Sequence, residues 1–302
     1  MLIDEQIKKC VAFVLVDDTD QESRIAKRTP KATVFFVCVP FEEGAFIYAV
    51  TARHVIDSAR PYDRFYVRVN TKDGAFEDVE TQASGWFCHP TTDVAAIPVN
   101  LPQKNYDLLP LPCSMLLTTE IVAKRKVGVG DDVIAVGLYS KYFGVTRNQP
   151  IVRFGHVALM PDEQIPLKLY PGESGQPVLG DAYLLELQSW GGQSGSPVFV
   201  YYPADRELNR LKVRGAGPEL LGLIHGHHDL DKKVKFTGDF PGTAKVPLNA
   251  GIAILIPSQK INELLMGDEL LEDRKRRYQD HKAQQLATTP DCAVSDQPSP
   301  KM

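Results

Sequence analysis

An all-β fold ending in a helix is what this 302-residue sequence predicts, and three observations carry it. Ten short stretches are apolar, or alternate apolar with polar residues, and are rich in Val, Ile, Phe and Tyr. Clusters of Gly, Pro or Asp separate them. Helical periodicity is scarce until Pro257. Many short strands joined by turns point to a barrel or sandwich architecture.

Taken in order, the first strand is expected at 11–16. The run "CVAFVLV" after Lys8 and Lys9 has the make-up of a short signal peptide, but "DDTDQE" follows it without a small-residue cleavage site. A buried strand is the better reading. Further strands are expected at 33–39, 45–51 and 64–69. In "YAVTARHVIDSA" an apolar strand ends in Thr-Ala and His54 opens a short helical turn. In "HPTTDVAAIPV" Asp93 immediately precedes an apolar strand, a position that buries it. Lys124, Arg125 and Lys126, closely followed by Asp131 and Asp132, read as a solvated loop. Strands are expected again at 133–137, 151–159, 183–188, 198–202, 220–224 and 251–256. Ser258 is the expected N-cap of a helix that carries Ile261, Leu264 and Leu265 on one face. After Gly267 the segment "DELLEDRKRRYQDHKAQQ" is charged and partly helical, and the last residues have the composition of a disordered tail. Residues 1–266 are therefore expected to hold the fold, and 267–302 to form a tail.

Composition narrows the function. Hydrophobic residues make up 43% and charged residues 24%, ordinary for a globular protein with a sizeable core. Lys and Arg number 34 against 38 Asp and Glu, a net charge of −4 that offers nucleic acid or an anionic membrane no electrostatic footing. No stretch reaches the roughly 18 apolar residues that a membrane span requires. The five cysteines (Cys10, Cys38, Cys88, Cys113 and Cys292) are odd in number and show neither close pairs nor metal-ligand spacing. Free thiols in a reducing cytoplasm are the expectation.

Acyl-bond hydrolysis by serine requires a base, a carboxylate that orients it and donors for the developing oxyanion. Among seven histidines, His54 alone sits where a base would, at a strand end facing a cleft. Asp93 is the candidate orienter. Two segments offer a serine: "PGESGQPV", with Ser174, and "GGQSGSPV", with Ser194.

His54 in "TARHVI", Asp93 in "TTDVAAI" and Ser194 in "GGQSGSPVF", with "KVGVGDDVIAVGLY" between Asp and Ser and "LLGLIHGHH" after Ser, resemble the chymotrypsin/trypsin-like serine peptidases. Within that family the pattern is closest to bacterial trypsin-like and HtrA-like peptidase domains, over residues 33–265. The resemblance implies two six-stranded β-barrels, about 1–115 and 116–266, with the active site in the cleft between them. It implies a serine endopeptidase in which His54 is base then acid, Asp93 orients it and Ser194 is the nucleophile. The N–H groups of Gly192 and Ser194 would form the oxyanion hole, and no cofactor or metal is implied. Ser194 is preferred over Ser174 because only Ser194 joins a strand leading in, an apolar strand leading out and a nearby cleft strand.

The same resemblance puts His225, Gly226 and His227 near the wall of the specificity pocket, where histidine would favour an acidic side chain; partly exposed strand-end residues are the alternative. A zinc site from these histidines and Asp229 does not fit common ligand spacings. Several departures from the family bear on regulation. Gln193 replaces the Asp that binds a newly cut N-terminus, no "Ile-Val-Gly-Gly"-like start is present, and Val55 replaces a disulfide-forming Cys. Activation by N-terminal insertion is not expected, and no PDZ-sized segment follows the barrels. Strand "ATVFF" lacks the glycines of the family's "GTGF". The expected partner is a protein or peptide substrate, with control by a regulatory protein or by substrate access. The second functional reading is a binding or scaffold protein that keeps the fold without turnover.

Overall fold

The apolar run after Lys9 forms β1 (Val11–Thr19), in which Val11 to Val16 are all buried. The computed structural model describes residues 4–19, 26–62, 64–167, 178–189, 191–202, 217–236 and 242–288. Ser174 and the last residues, 289–302, with Cys292, lie outside them.

β1 pairs antiparallel with β2 (Ala26–Phe41), which turns through Glu42 and Glu43 into β3 (Gly44–Thr51). α1 (Arg53–Ala59) follows β3, and then come β4 (Phe65–Asn70), β5 (Phe76–Thr81), β6 (Phe87–Cys88), β7 (Ala95–Val99) and β8 (Leu111–Pro112). These strands make an eight-stranded sheet in the order β5-β4-β1-β2-β3-β7-β6, with β8 parallel to β2. α2 (Thr119–Arg125) leads into β9 (Asp132–Gly137), β10 (Ile151–Leu159), the small pair β11 (Ile165–Leu167) and β12 (Val178–Gly180), then β13 (Tyr183–Glu186), β14 (Pro197–Val200), β15 (Glu219–Phe236) and β16 (Gly242–Pro257). Six of these close into a barrel, β10-β13-β16-β15-β14-β9. Its lumen is filled by Val133, Ala135, Val157, Leu185, Val198, Leu221, Leu255 and their neighbours. Closure removes the unpaired strand edges that an open sheet exposes.

The all-β expectation holds in the coarser sense that strands dominate, with α1, α2 and a helix at Asp268–Thr288 beside the expected helix after Pro257, but the pairing differs from two six-stranded barrels. Among the described residues one six-stranded barrel is closed. The N-terminal strands number eight, and among the described residues no pairing joins the two ends of their path, β5 and β6. β6 and β8 are two residues long, too short to announce themselves by periodicity. Lys124 and Arg125 are not loop residues either: they form the last turn of α2, where cations meet the negative end of the helix dipole. The Thr118 hydroxyl caps that helix from the Ile121 N–H at 3.3 Å, and Lys126 ends it with φ of 56°.

α3 (Ser258–Met266) buries Ile261, Leu264 and Leu265. Ser258 is its first residue rather than its cap, because its hydroxyl donates to the Leu117 carbonyl at 2.6 Å. The chain divides into two compact units, 1–265 and 266–302. The second carries α4 (Asp268–Thr288), with ion pairs at helical spacing from Lys275 to Glu272 and from Arg277 to Asp273. Among the described residues no helix is long and apolar enough to cross a membrane.

Candidate active site

Three local features of the first unit bring the expected residues together. β3 ends at Thr51, Ala52 follows in extended backbone, and His54 stands in the first turn of α1. Asp93 lies in the bend before β7 and is 1% exposed. Its Oδ1 accepts the backbone N–H of His54 at 2.8 Å, and its Oδ2 lies 2.7 Å from His54 Nδ1. Burial alone would hold Asp93 protonated, but the adjoining His54 and His225 outweigh it and keep the carboxyl far below the usual range. A carboxylate accepts only, so His54 Nδ1 must carry a proton and Nε2 keeps its lone pair. For His54, burial pulls the pKa down, yet the charge and hydrogen bond of Asp93, with Asp57 behind them, leave it above the ordinary value.

Ser194 belongs to a loop, residues 191–196, whose backbone is tied on both sides. Its carbonyl accepts the Thr33 N–H of β2 at 3.0 Å. Gly195 N–H reaches the Ile224 carbonyl of β15 at 2.8 Å, and Ile224 N–H returns to the Ser196 carbonyl at 2.9 Å. Gly192 has φ of 97°, a conformation glycine adopts without strain. Among the described residues, neither Gly192 N–H nor Ser194 N–H donates to a protein acceptor, so both are available as anion donors. The Ser194 hydroxyl donates to the His225 carbonyl at 3.2 Å.

Sequence reasoning missed Thr33. Its hydroxyl donates to the Gly192 carbonyl at 3.0 Å, and accepts from the Leu138 N–H at 2.9 Å and the Ser196 hydroxyl at 3.0 Å. That fills the capacity of one hydroxyl, and it fixes the peptide beside the two free N–H groups. The signal was a lone hydroxyl within the buried run "ATVFFVCV". Thr33→Val should lower stability by about 3 kcal/mol, because it strands several buried polar groups. It should also slow any reaction of Ser194, and Thr33→Ser should restore both. Denaturant unfolding and reaction rates of the two variants check this.

His225, expected near the wall of the specificity pocket, reaches the His54–Asp93 pair itself. Its ring is buried and turned onto Asp93, with Nδ1 2.5 Å from Oδ2 and the ring edge-on to His54 at 5.4 Å between centroids. Gly226 and His227 follow it in β15 and are half-buried, and a Cβ at Gly226 would meet nothing within 4 Å. His54, Asp93 and His225 thus form a cluster whose ligand-type atoms lie within 4.8 Å of one another. The nitrogen–oxygen separations of 2.5 and 2.7 Å are those of hydrogen bonds. Two ligands of a tetrahedral zinc would stand about 3.3 Å apart, so the cluster as built holds protons between its members.

No family model matches the chain, and no curated protein matches it. Among solved structures it is similar to the MamO protease domain from Magnetospirillum magneticum in its apo form, at 16% sequence identity over 86% of this chain and 97% of that one, with a TM-score of 0.49. The chemistry proposed for the site stands on the residues of this chain.

Proposed function

We propose that the protein is a serine endopeptidase of the trypsin-like type, with Ser194 as nucleophile, His54 as base and acid, and Asp93 as orienter. The observation that carries this reading is the doubly bonded His54–Asp93 pair, which leaves Nε2 basic, beside a serine loop with two N–H groups that meet no protein acceptor among the described residues. In the first step the Ser194 hydroxyl leaves the His225 carbonyl and turns to His54 Nε2. Oγ attacks the scissile carbonyl carbon while its proton passes to His54 and the carbonyl electron pair moves to oxygen. Gly192 and Ser194 N–H groups bind that oxyanion, each such donor being worth about 3 kcal/mol in comparable hydrolases. Collapse breaks the C–N bond, and His54 gives its proton to the leaving amine. Water then repeats the sequence on the acyl-enzyme and regenerates Ser194. The chemistry calls for no cofactor. Gly226 and His227 are proposed to border the substrate. A cytoplasmic location belongs to the proposal too, supported by the odd number of cysteines and their wide spacing.

The test is labelling with a fluorophosphonate probe. Wild type and Ser174→Ala should label and Ser194→Ala should not. Folded wild type that stays unlabelled, with and without candidate regulatory proteins, would sink the peptidase reading. A second reading, a peptidase fold kept for binding, is favoured by the Ser194 hydroxyl resting on a carbonyl rather than on His54. Full cellular function in Ser194→Ala would support that alternative.

A further inference from the structure

One residue of β15 touches both ends of the proposed triad. In the β15–β16 ladder Ile224 lies opposite Leu255 and Gly226 lies opposite Ile254, so His225 is the extra residue of a bulge. A bulge leaves its residue outside the ladder and re-aims its side chain. Here it sends the His225 ring to Asp93 and leaves the His225 carbonyl to accept from the Ser194 hydroxyl. The backbone just before it is pinned by the exchange between Ile224 and the Ser194 loop.

We propose that His225 is a positioning residue: its Nδ1–H anchors Asp93 Oδ2 beside His54 and thereby fixes the plane and tautomer of the His54 ring. Three donors hold this carboxylate, the His54 backbone N–H on Oδ1 and the two imidazole N–H groups on Oδ2. A carboxylate held by His54 alone can swing about its last torsion together with the ring it is meant to fix. The third donor comes from a different strand and removes that freedom. The Nδ1–H bond to Asp93 also leaves the proton of His54 no alternative site, keeping Nε2 free for the serine. The role in turnover rests on the peptidase reading; the geometry does not.

The experiment uses the full chain with His225→Ala, His225→Asn and His225→Leu. Its first readout is the downfield proton resonance of His54 Nδ1–H, assigned by its loss in His54→Ala. The second is the rate of fluorophosphonate labelling at Ser194. His225→Ala should broaden the resonance through exchange with water and slow labelling about 10- to 100-fold, the scale of a misplaced catalytic group. His225→Asn restores an N–H donor and should recover a sharp resonance and most of the rate. If His225→Ala does not fold, His225→Leu against His225→Asn makes the same comparison of a filled space without and with a donor. A sharp, unshifted resonance and an unchanged rate in folded His225→Ala or His225→Leu overturn the proposal. Wild type that fails to label, with a resonance that still depends on His225, rejects the peptidase reading and leaves the positioning role standing.

Discussion

Asp93→Asn is expected to slow labelling of Ser194 by about 10^4-fold while the chain stays folded. The amide oxygen can still accept the His54 backbone N–H that Oδ1 accepts now. Its NH2 group, however, would then face His54 Nδ1 and His225 Nδ1, where two donors meet an acceptor today. His54 can bond to that amide only by giving up its Nδ1 proton, which moves to Nε2. A protonated Nε2 cannot take the serine proton, so the base is lost by tautomer rather than by displacement. Loss of the carboxylate also removes the charge and hydrogen bond of Asp93 that hold the His54 pKa up, leaving only the weaker pull of Asp57. In wild type, labelling should fall as pH drops through a midpoint above the ordinary histidine value of about 6.5. In Asp93→Asn the residual rate should show its acid limb at lower pH. Labelling of Asp93→Asn within tenfold of wild type, with an unchanged pH profile, would show that Asp93 does not orient the base.

His54 and Asp93 could be read from sequence because each carries its signal locally. An acid directly before "VAAIPV" must be buried, and a histidine after "YAVTA" must open the turn at a strand end. Barrel strands such as β9 and β10 were legible for a similar reason, as short apolar runs between turn residues. β5 was not, because "FEDVET" alternates polar residues on a half-exposed strand. Thr33 escaped notice because the groups its hydroxyl binds lie 105 to 163 residues away in sequence. The direction of His225 was out of reach for a different reason. Side chains alternate along a strand, so the extra residue at His225 reverses the facing inferred for the residues just beyond it, up to the next register shift between His227 and Asp229. "GLIHGHHDL" contains nothing local that marks where the bulge falls.

Gly195→Ala should be the most damaging single change in the nucleophile loop, costing at least about 4 kcal/mol of stability. Two effects combine there. Gly195 has φ of 82°, which L side chains rarely adopt, and an added Cβ would stand 2.2 Å from the Thr33 carbonyl oxygen and 2.2 Å from Thr51 Oγ1. Neither neighbour can retreat cheaply. The Thr51 hydroxyl donates to that same Thr33 carbonyl at 2.7 Å, and Thr33 in turn holds Gly192, Leu138 and Ser196. Relief must therefore come from lifting the loop away from β2, which breaks the Thr33 N–H bond to the Ser194 carbonyl and carries the nucleophile with it. Gly191→Ala is the control within the same loop, since its Cβ would meet nothing within 4 Å; it should shift stability by no more than about 0.5 kcal/mol. Urea unfolding of both variants measures the difference. A wild-type midpoint for Gly195→Ala would mean that the loop does not pack against Thr33 and Thr51, and the placement of Ser194 beside His225 would fall with it.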